Sequence, residues 1–152
     1  MSKIEIIAVG LLKKGPLFDL CAEYQKRMQW PLTIHTVESR KKDPAEMQTE
    51  EWQKITALLK TDSHVIALDE RGKTLGSQEF AKTVERMRGS GKGSIQFIIG
   101  GAAGLSDEIR KRADLILSFG AQTWPHMLAR AMLLEQIYRA QQILSGHPYH
   151  RE

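Results

Sequence analysis

One cysteine, Cys21, stands in a chain of 152 residues, so an internal disulfide is excluded, and so is any Cys-x-x-Cys redox or metal motif. A reducing cytoplasm is the expected setting. No apolar run approaches the roughly 18 residues that a bilayer-spanning helix needs. The first residues also lack a basic stretch followed by a long apolar one. The sequence therefore predicts a protein that is neither embedded in a membrane nor exported. Neither sign of charge dominates: 22 Lys and Arg against 18 Asp and Glu leave a formal +4, which permits a polyanionic partner without requiring one.

Several catalytic signatures are missing too. There is no His-Glu-x-x-His and no Gly-x-Ser-x-Gly, which removes two common hydrolase designs. Gly72-Lys73-Thr74 resembles the end of a phosphate-binding P-loop, but Ala67 stands where that motif needs its first glycine. The run Gly100-Gly101-Ala102-Ala103-Gly104 is not the dinucleotide fingerprint, because Ala102 and Leu105 occupy two of the required glycine positions. Spacing alone favours the plain reading, in which glycine supplies a tight strand-to-helix turn, over one in which bare backbone admits a ligand. His147 and His150 are split by Pro148 and have no acidic or thiolate neighbour, whereas zinc takes at least three protein ligands. No metal site is expected.

The length suits one domain, and 41% hydrophobic residues are enough for an ordinary core. Ile4 to Val9, Leu32 to Val37, His64 to Leu68, Ser94 to Ile99 and Leu115 to Phe119 read as short buried strands. Between them, apolar residues recur at helical spacing from Leu17 to Met28, Met47 to Leu59, Phe80 to Met87 and Met127 to Leu144. Ser77 and Ser106 are expected caps, Pro125 a first-turn residue, and charged Asp69 to Lys73 a loop. Strands alternating with helices predict an α/β domain with a mostly parallel sheet flanked by helices. Ligands on such sheets bind beyond the carboxyl ends of the strands, which singles out the loops Leu68 to Gly72, Gly100 to Gly104 and Phe119 to Trp124.

From Arg110 onward six Arg or Lys face three acids, with His126, His147 and His150 among them. The closing run His147-Pro148-Tyr149-His150-Arg151-Glu152 carries groups that stack on bases and pair with phosphates. A frayed end is the plain alternative. The helix Met127 to Leu144 has apolar residues, such as Met132 and Leu133, beside its main stripe, which core packing or a dimer partner would explain.

Phe97-Ile98-Ile99-Gly100-Gly101, Leu117-Ser118-Phe119, Pro125-His126 and Tyr149-His150-Arg151-Glu152 together resemble the bacterial ribosomal RNA large subunit methyltransferase H family, of the knotted SPOUT class. The resemblance runs from Ala8-Val9-Gly10 through Glu23-Tyr24 and Arg27 to the last residue, as one domain over 1–152. It implies transfer of a methyl group from S-adenosylmethionine to N3 of a pseudouridine in 23S ribosomal RNA within assembled ribosomes, by a homodimer. It also implies a C-terminal trefoil knot, which general rules of chain topology would not suggest.

By position, the resemblance places cofactor contacts on Leu68, Gly100, Phe119, Gly120, Ala121, Gln122, Thr123 and Trp124. The glycine turn of the family often carries an acidic or amide residue where this chain has Ala103, so any polar role of that side chain is lost. Methyl transfer to N3 requires its proton to leave, which calls for a base or a cation near the acceptor. His126, His150 and Arg151 are the available groups, and none of the three is singled out as the base. His147, Tyr149, His150 and Arg151 are expected at the RNA. Two other readings stay open: an α/β enzyme using a nicotinamide cofactor, and a ribosome-bound RNA-binding module without catalysis.

Overall fold

A computed structural model describes residues 2–151, and Met1 and Glu152 lie outside the described residues. Strands β1 (Lys3–Val9), β2 (Leu32–Val37), β3 (Ser63–Thr74), β4 (Ser94–Ile99) and β5 (Leu115–Ser118) alternate with helices α1 (Pro16–Arg27), α2 (Pro44–Leu58), α3 (Ser77–Arg88), α4 (Asp107–Arg112) and α5 (His126–Leu144). The strands form one sheet in the order β2-β1-β4-β3-β5, every pair parallel. Central β4 is buried along its whole length, as expected where helices cover both faces of a parallel sheet.

The alternation of side chains along each strand divides the core in two. Ile4, Ile6, Ile66, Ile95, Phe97 and Leu117 pack under α1, α3 and α5. Ile7, Val9, Val65, Ala67 and Ile98 face the opposite way, against Ile55 of α2 and Ile109 of α4. Glu5 and Gln96, neighbours in register, bring polar groups to that second face. Gln96 is fully buried, and its amide donates to the Leu58 carbonyl at 2.8 Å and accepts from the Lys60 N–H at 3.0 Å. It thereby closes the last turn of α2, whose free carbonyls need partners.

Three expectations are corrected. Asp69 to Lys73 is the second half of β3 and not a loop. Gly72 is there because the strand passes so close to β5 that an added Cβ would lie 2.5 Å from the Ile116 carbonyl oxygen, a close-approach use of glycine within a strand. Ser77 does not cap α3, for which Gly76 is the N-cap; its hydroxyl instead donates to Gln136 Oε1 of α5 at 2.8 Å. Pro125 is the N-cap of α5 and not its first turn. Ser106 caps α4 as expected, accepting from the Ile109 N–H.

The apolar residues of α5 divide into two groups. The helix lies against both α1 and α3, and its Leu133, Leu134, Ile137 and Tyr138 are buried in the core. Met127, Leu128 and Met132 are only partly covered within the chain.

Candidate functional site

The segment 119–125 carries the chain from edge strand β5 past the carboxyl ends of β3 and β4 to that of β1, where His126 and Met127 meet Gly10. Beneath this crossing lies a cleft of about 470 Å³, lined by Leu68 to Arg71 within β3, the end of β4, the glycine turn and the start of α5. That size lies within the usual range of small-molecule sites. Leu68, Gly100, Phe119, Gly120, Gln122, Thr123 and Trp124 all line it, while Ala121 does not. The three segments singled out from topology thus meet at one place, the first of them as strand and not as loop.

Gly100 contributes differently from what its position suggests. A Cβ there would lie 2.9 Å from Leu105 Cδ2 and 3.3 Å from the Gly104 carbonyl carbon, so its missing side chain makes room for the turn's own residues. The turn is also held from outside the cleft, where Gln48 Nε2 of α2 donates to the Ala103 carbonyl.

The crossing segment is fastened to β3 by a serine and a threonine. Ser118 Oγ accepts from the Gly120 N–H at 3.0 Å and lies 3.0 Å from the Glu70 carbonyl and 2.9 Å from that of Gly120. Thr123 Oγ1 donates to Glu70 Oε2 at 2.7 Å. Across the cleft, the Arg110 fork reaches Asp69 Oδ2 at 3.0 and 2.8 Å and Asp107 Oδ1 at 3.0 Å. Asp69 and Glu70 lie in the stretch Leu68 to Gly72 that topology singled out, although neither was named as a contact, and Arg110 of α4 was not foreseen. The signal for the two acids was a charged run directly after an apolar strand, which reads equally well as a solvated loop.

Of the three groups named for chemistry at the acceptor, only His126 lines the cleft. Burial, and after it the neighbouring Arg130 guanidinium, hold its imidazole below the usual histidine range, so the ring is neutral and able to accept a proton near pH 7. His150 lies at the far end of α5, its Nδ1 3.0 Å from Arg139 Nη1. Thirteen residues of helix separate Arg139 from His126, about 20 Å at 1.5 Å per residue.

Around His150 the closing segment is docked and not frayed. Tyr149 packs edge-on to Tyr138 with ring centroids 4.8 Å apart, lies beside the Arg139 guanidinium, and donates its hydroxyl to Glu135 Oε2 at 2.8 Å. Burial, then the Tyr24 hydroxyl and the Glu135 carboxylate, push the Tyr149 phenol well above its ordinary value, so it remains a donor. His147 and Arg151 are exposed. Within one chain, the cleft and the groups expected at the RNA are thus at opposite ends of the same helix.

A family model described as "Predicted SPOUT methyltransferase" matches residues 2–150. The chain belongs to the SPOUT methyltransferases. The Rhodospirillum centenum protein named ribosomal RNA large subunit methyltransferase H is 49% identical to it over 150 residues, covering 98% of this chain and 99% of the relative. The match places the chain in that branch of the SPOUT family. A probable methylase family protein from Haemophilus influenzae Rd KW20 shares its fold with a TM-score of 0.59 at 14% identity, over 99% of this chain and 71% of the other. The SpoU methyltransferase AviRb from Streptomyces viridochromogenes, solved with AdoMet, matches with a TM-score of 0.52 at 15% identity, over 95% of this chain and 59% of the other. Among the described residues, no group of three metal-ligating side chains is present, and no helix is long and apolar enough to cross a membrane.

Proposed function

We propose that this SPOUT methyltransferase transfers a methyl group from S-adenosylmethionine to N3 of a pseudouridine in 23S ribosomal RNA, acting on assembled ribosomes in the cytoplasm as a homodimer. Its kinship makes it a methyltransferase of large-subunit ribosomal RNA. The observation that carries the finer reading is the cleft at the strand ends, lined by a neutral histidine. Its lining suits the cofactor: Leu105, Leu117, Phe119 and Trp124 offer apolar and aromatic walls to a base, while the Glu70 carboxylate and exposed backbone of the glycine turn offer polar partners to a ribose and an amino acid.

Bound there, the sulfonium supplies an electrophilic methyl group, and most of what remains for the protein is positioning. The neutral imidazole of His126 is placed to take the N3 proton. His150 and Arg151, with His147 and Tyr149, serve the RNA, and because they lie far along α5 from their own cleft, they act beside that of a second subunit. The C-terminal trefoil knot that SPOUT membership implies belongs to the same reading. It is compatible with the passage of 119–125 over the ends of β3 and β4.

The test is methylation of ribosomes purified from a strain lacking this protein, followed by mass mapping of the 23S RNA. One new methyl group on a pseudouridine base, dependent on S-adenosylmethionine, is the expected result. No methyl transfer to ribosomes, or a methyl group on a ribose, would overturn the proposal, and light scattering that finds a monomer at micromolar concentration would remove the second subunit from it.

A further inference from the structure

β1 and β2 run side by side with Val9 opposite Val37, so the loops that follow them, 10–15 and 38–43, leave the carboxyl edge of the sheet together. They are joined into one surface. The Leu11 N–H donates to Glu38 Oε1 at 3.1 Å, and Lys54 Nζ of α2 donates to the Glu38 carbonyl. A groove runs between them past Leu11, Glu38, Arg40, Lys41, Glu50 and Lys54.

The charge on this surface is one-sided. Lys13, Lys14, Arg40, Lys41 and Lys42 are all exposed, and none makes an ion pair among the described residues. The acids among them are already engaged: Glu38 holds Leu11, Glu50 pairs with Lys54 at 3.3 Å, and Asp43 caps α2 by accepting from the Glu46 N–H. Leu11 is the most exposed large apolar residue described, at 58%. Five free cations around an exposed aliphatic side chain are poorly suited to an apolar protein partner and well suited to a nucleic-acid strand, whose phosphates need neutralising and whose bases offer flat apolar faces.

The surface is also tied to the cleft. Arg130 of α5, buried to 3% exposure, donates from Nη2 to the Gly10 carbonyl at 2.7 Å, one residue before Leu11 and one helical turn after His126. The groove therefore opens beside the catalytic histidine.

We propose that the groove between loops 10–15 and 38–43 is the track on which the ribosomal RNA backbone lies as it enters the acceptor site, its phosphates on Lys13, Lys14, Arg40, Lys41 and Lys42. This rests on the reading of the protein as a ribosomal RNA methyltransferase. It assigns the strand's docking to the protein's own sheet edge, separate from the groups at the far end of α5.

The test is steady-state methyl transfer to purified ribosomes across a salt series, comparing wild type with an Arg40→Gln/Lys41→Gln/Lys42→Gln variant. A Lys82→Gln/Arg86→Gln/Lys92→Gln variant, altered on α3 and the turn after it, controls for net charge. The groove variant should raise KM for ribosomes on the order of tenfold or more and lower the slope of log KM against log salt by about two, since each lost phosphate contact removes about 0.7 to 0.9 from it. S-adenosylmethionine affinity, kcat and melting temperature should match wild type, and the control variant should leave KM unchanged. An unchanged KM and slope in the groove variant, or an equal effect of the control variant, would overturn the docking track while leaving the activity standing. Wild-type protein that transfers no methyl group to ribosomes would instead remove the activity on which the track depends.

Discussion

Ser118→Ala tests whether the crossing segment makes the cofactor site. The Ser118 hydroxyl is 4% exposed and sits where β5 turns into 119–125. It accepts one hydrogen bond, from the Gly120 N–H, and its single proton goes to the Glu70 or the Gly120 carbonyl. Alanine removes one accepted and one donated bond without changing the fold of the strand. At about 1 kcal/mol net for each bond, the ordered segment loses about 2 kcal/mol relative to its loose state. If the ordered segment is the one that binds S-adenosylmethionine, that loss reappears as about a thirtyfold weaker affinity, one decade being about 1.4 kcal/mol. Calorimetric titration of wild type, Ser118→Ala and a Ser90→Ala control reads this directly. Ser90 donates to the Met87 carbonyl after α3, away from the cleft, and its variant should bind as wild type does. A folded Ser118→Ala protein within twofold of wild-type affinity would refute the view that this segment is preorganised for the cofactor.

Gln96→Leu leaves the Leu58 carbonyl and the Lys60 N–H unpaired in the core, and should lower unfolding free energy by about 2 to 5 kcal/mol, read by urea denaturation at fixed protein concentration. His126, held below the ordinary histidine value of about 6.5, stays neutral until the pH falls below that value. The acidic limb of kcat/KM should therefore lie below pH 6.5, and proton NMR of the ring should titrate with it. The same depression means that the unfolded chain binds the proton first, so the stability it reflects is full above the unfolded pKa and declines as the pH falls below it. A His150→Ala/Arg151→Ala variant should keep S-adenosylmethionine affinity while methyl transfer to ribosomes falls on the order of a hundredfold. Parallel loss of cofactor affinity in that variant would place these residues in the wall of the cleft instead.

Much of the framework can be read from one strand of text because local patterns carry it. Buried strands such as Ser94 to Ile99 and the period of α3 depend on neighbours within a few residues, and the rule that ligands sit beyond strand ends led to Leu68, Gly100 and Phe119 before any contact was known. What was missed depends on pairings distant in sequence. Whether Asp69 to Lys73 is a loop or a strand is decided by β5, which lies more than forty residues later and offers hydrogen bonds to Lys73 and Thr74. Asp69 and Glu70 then enter the site because that strand continues. How much of the apolar surface of α5 the core takes up is likewise decided by α1 and α3, which the sequence does not show to flank it. Ser77 has the chemistry of a cap, yet a partner on α5 claimed its hydroxyl.

The contact between Arg130 and Gly10 joins positions 120 residues apart, and with it the last helix is tied to the loop after the first strand. A ribosome making this chain would complete β1 to β4 long before residues 117–129 emerged, and until then there would be no cleft to fill. Completion of the cleft thus requires that residues 117–129 have returned to β3 and the glycine turn. Contacts of such long range are slow to form, so maturation of a newly made molecule should be paced by this late closure, and a saturating concentration of cofactor should favour the closed molecule by mass action.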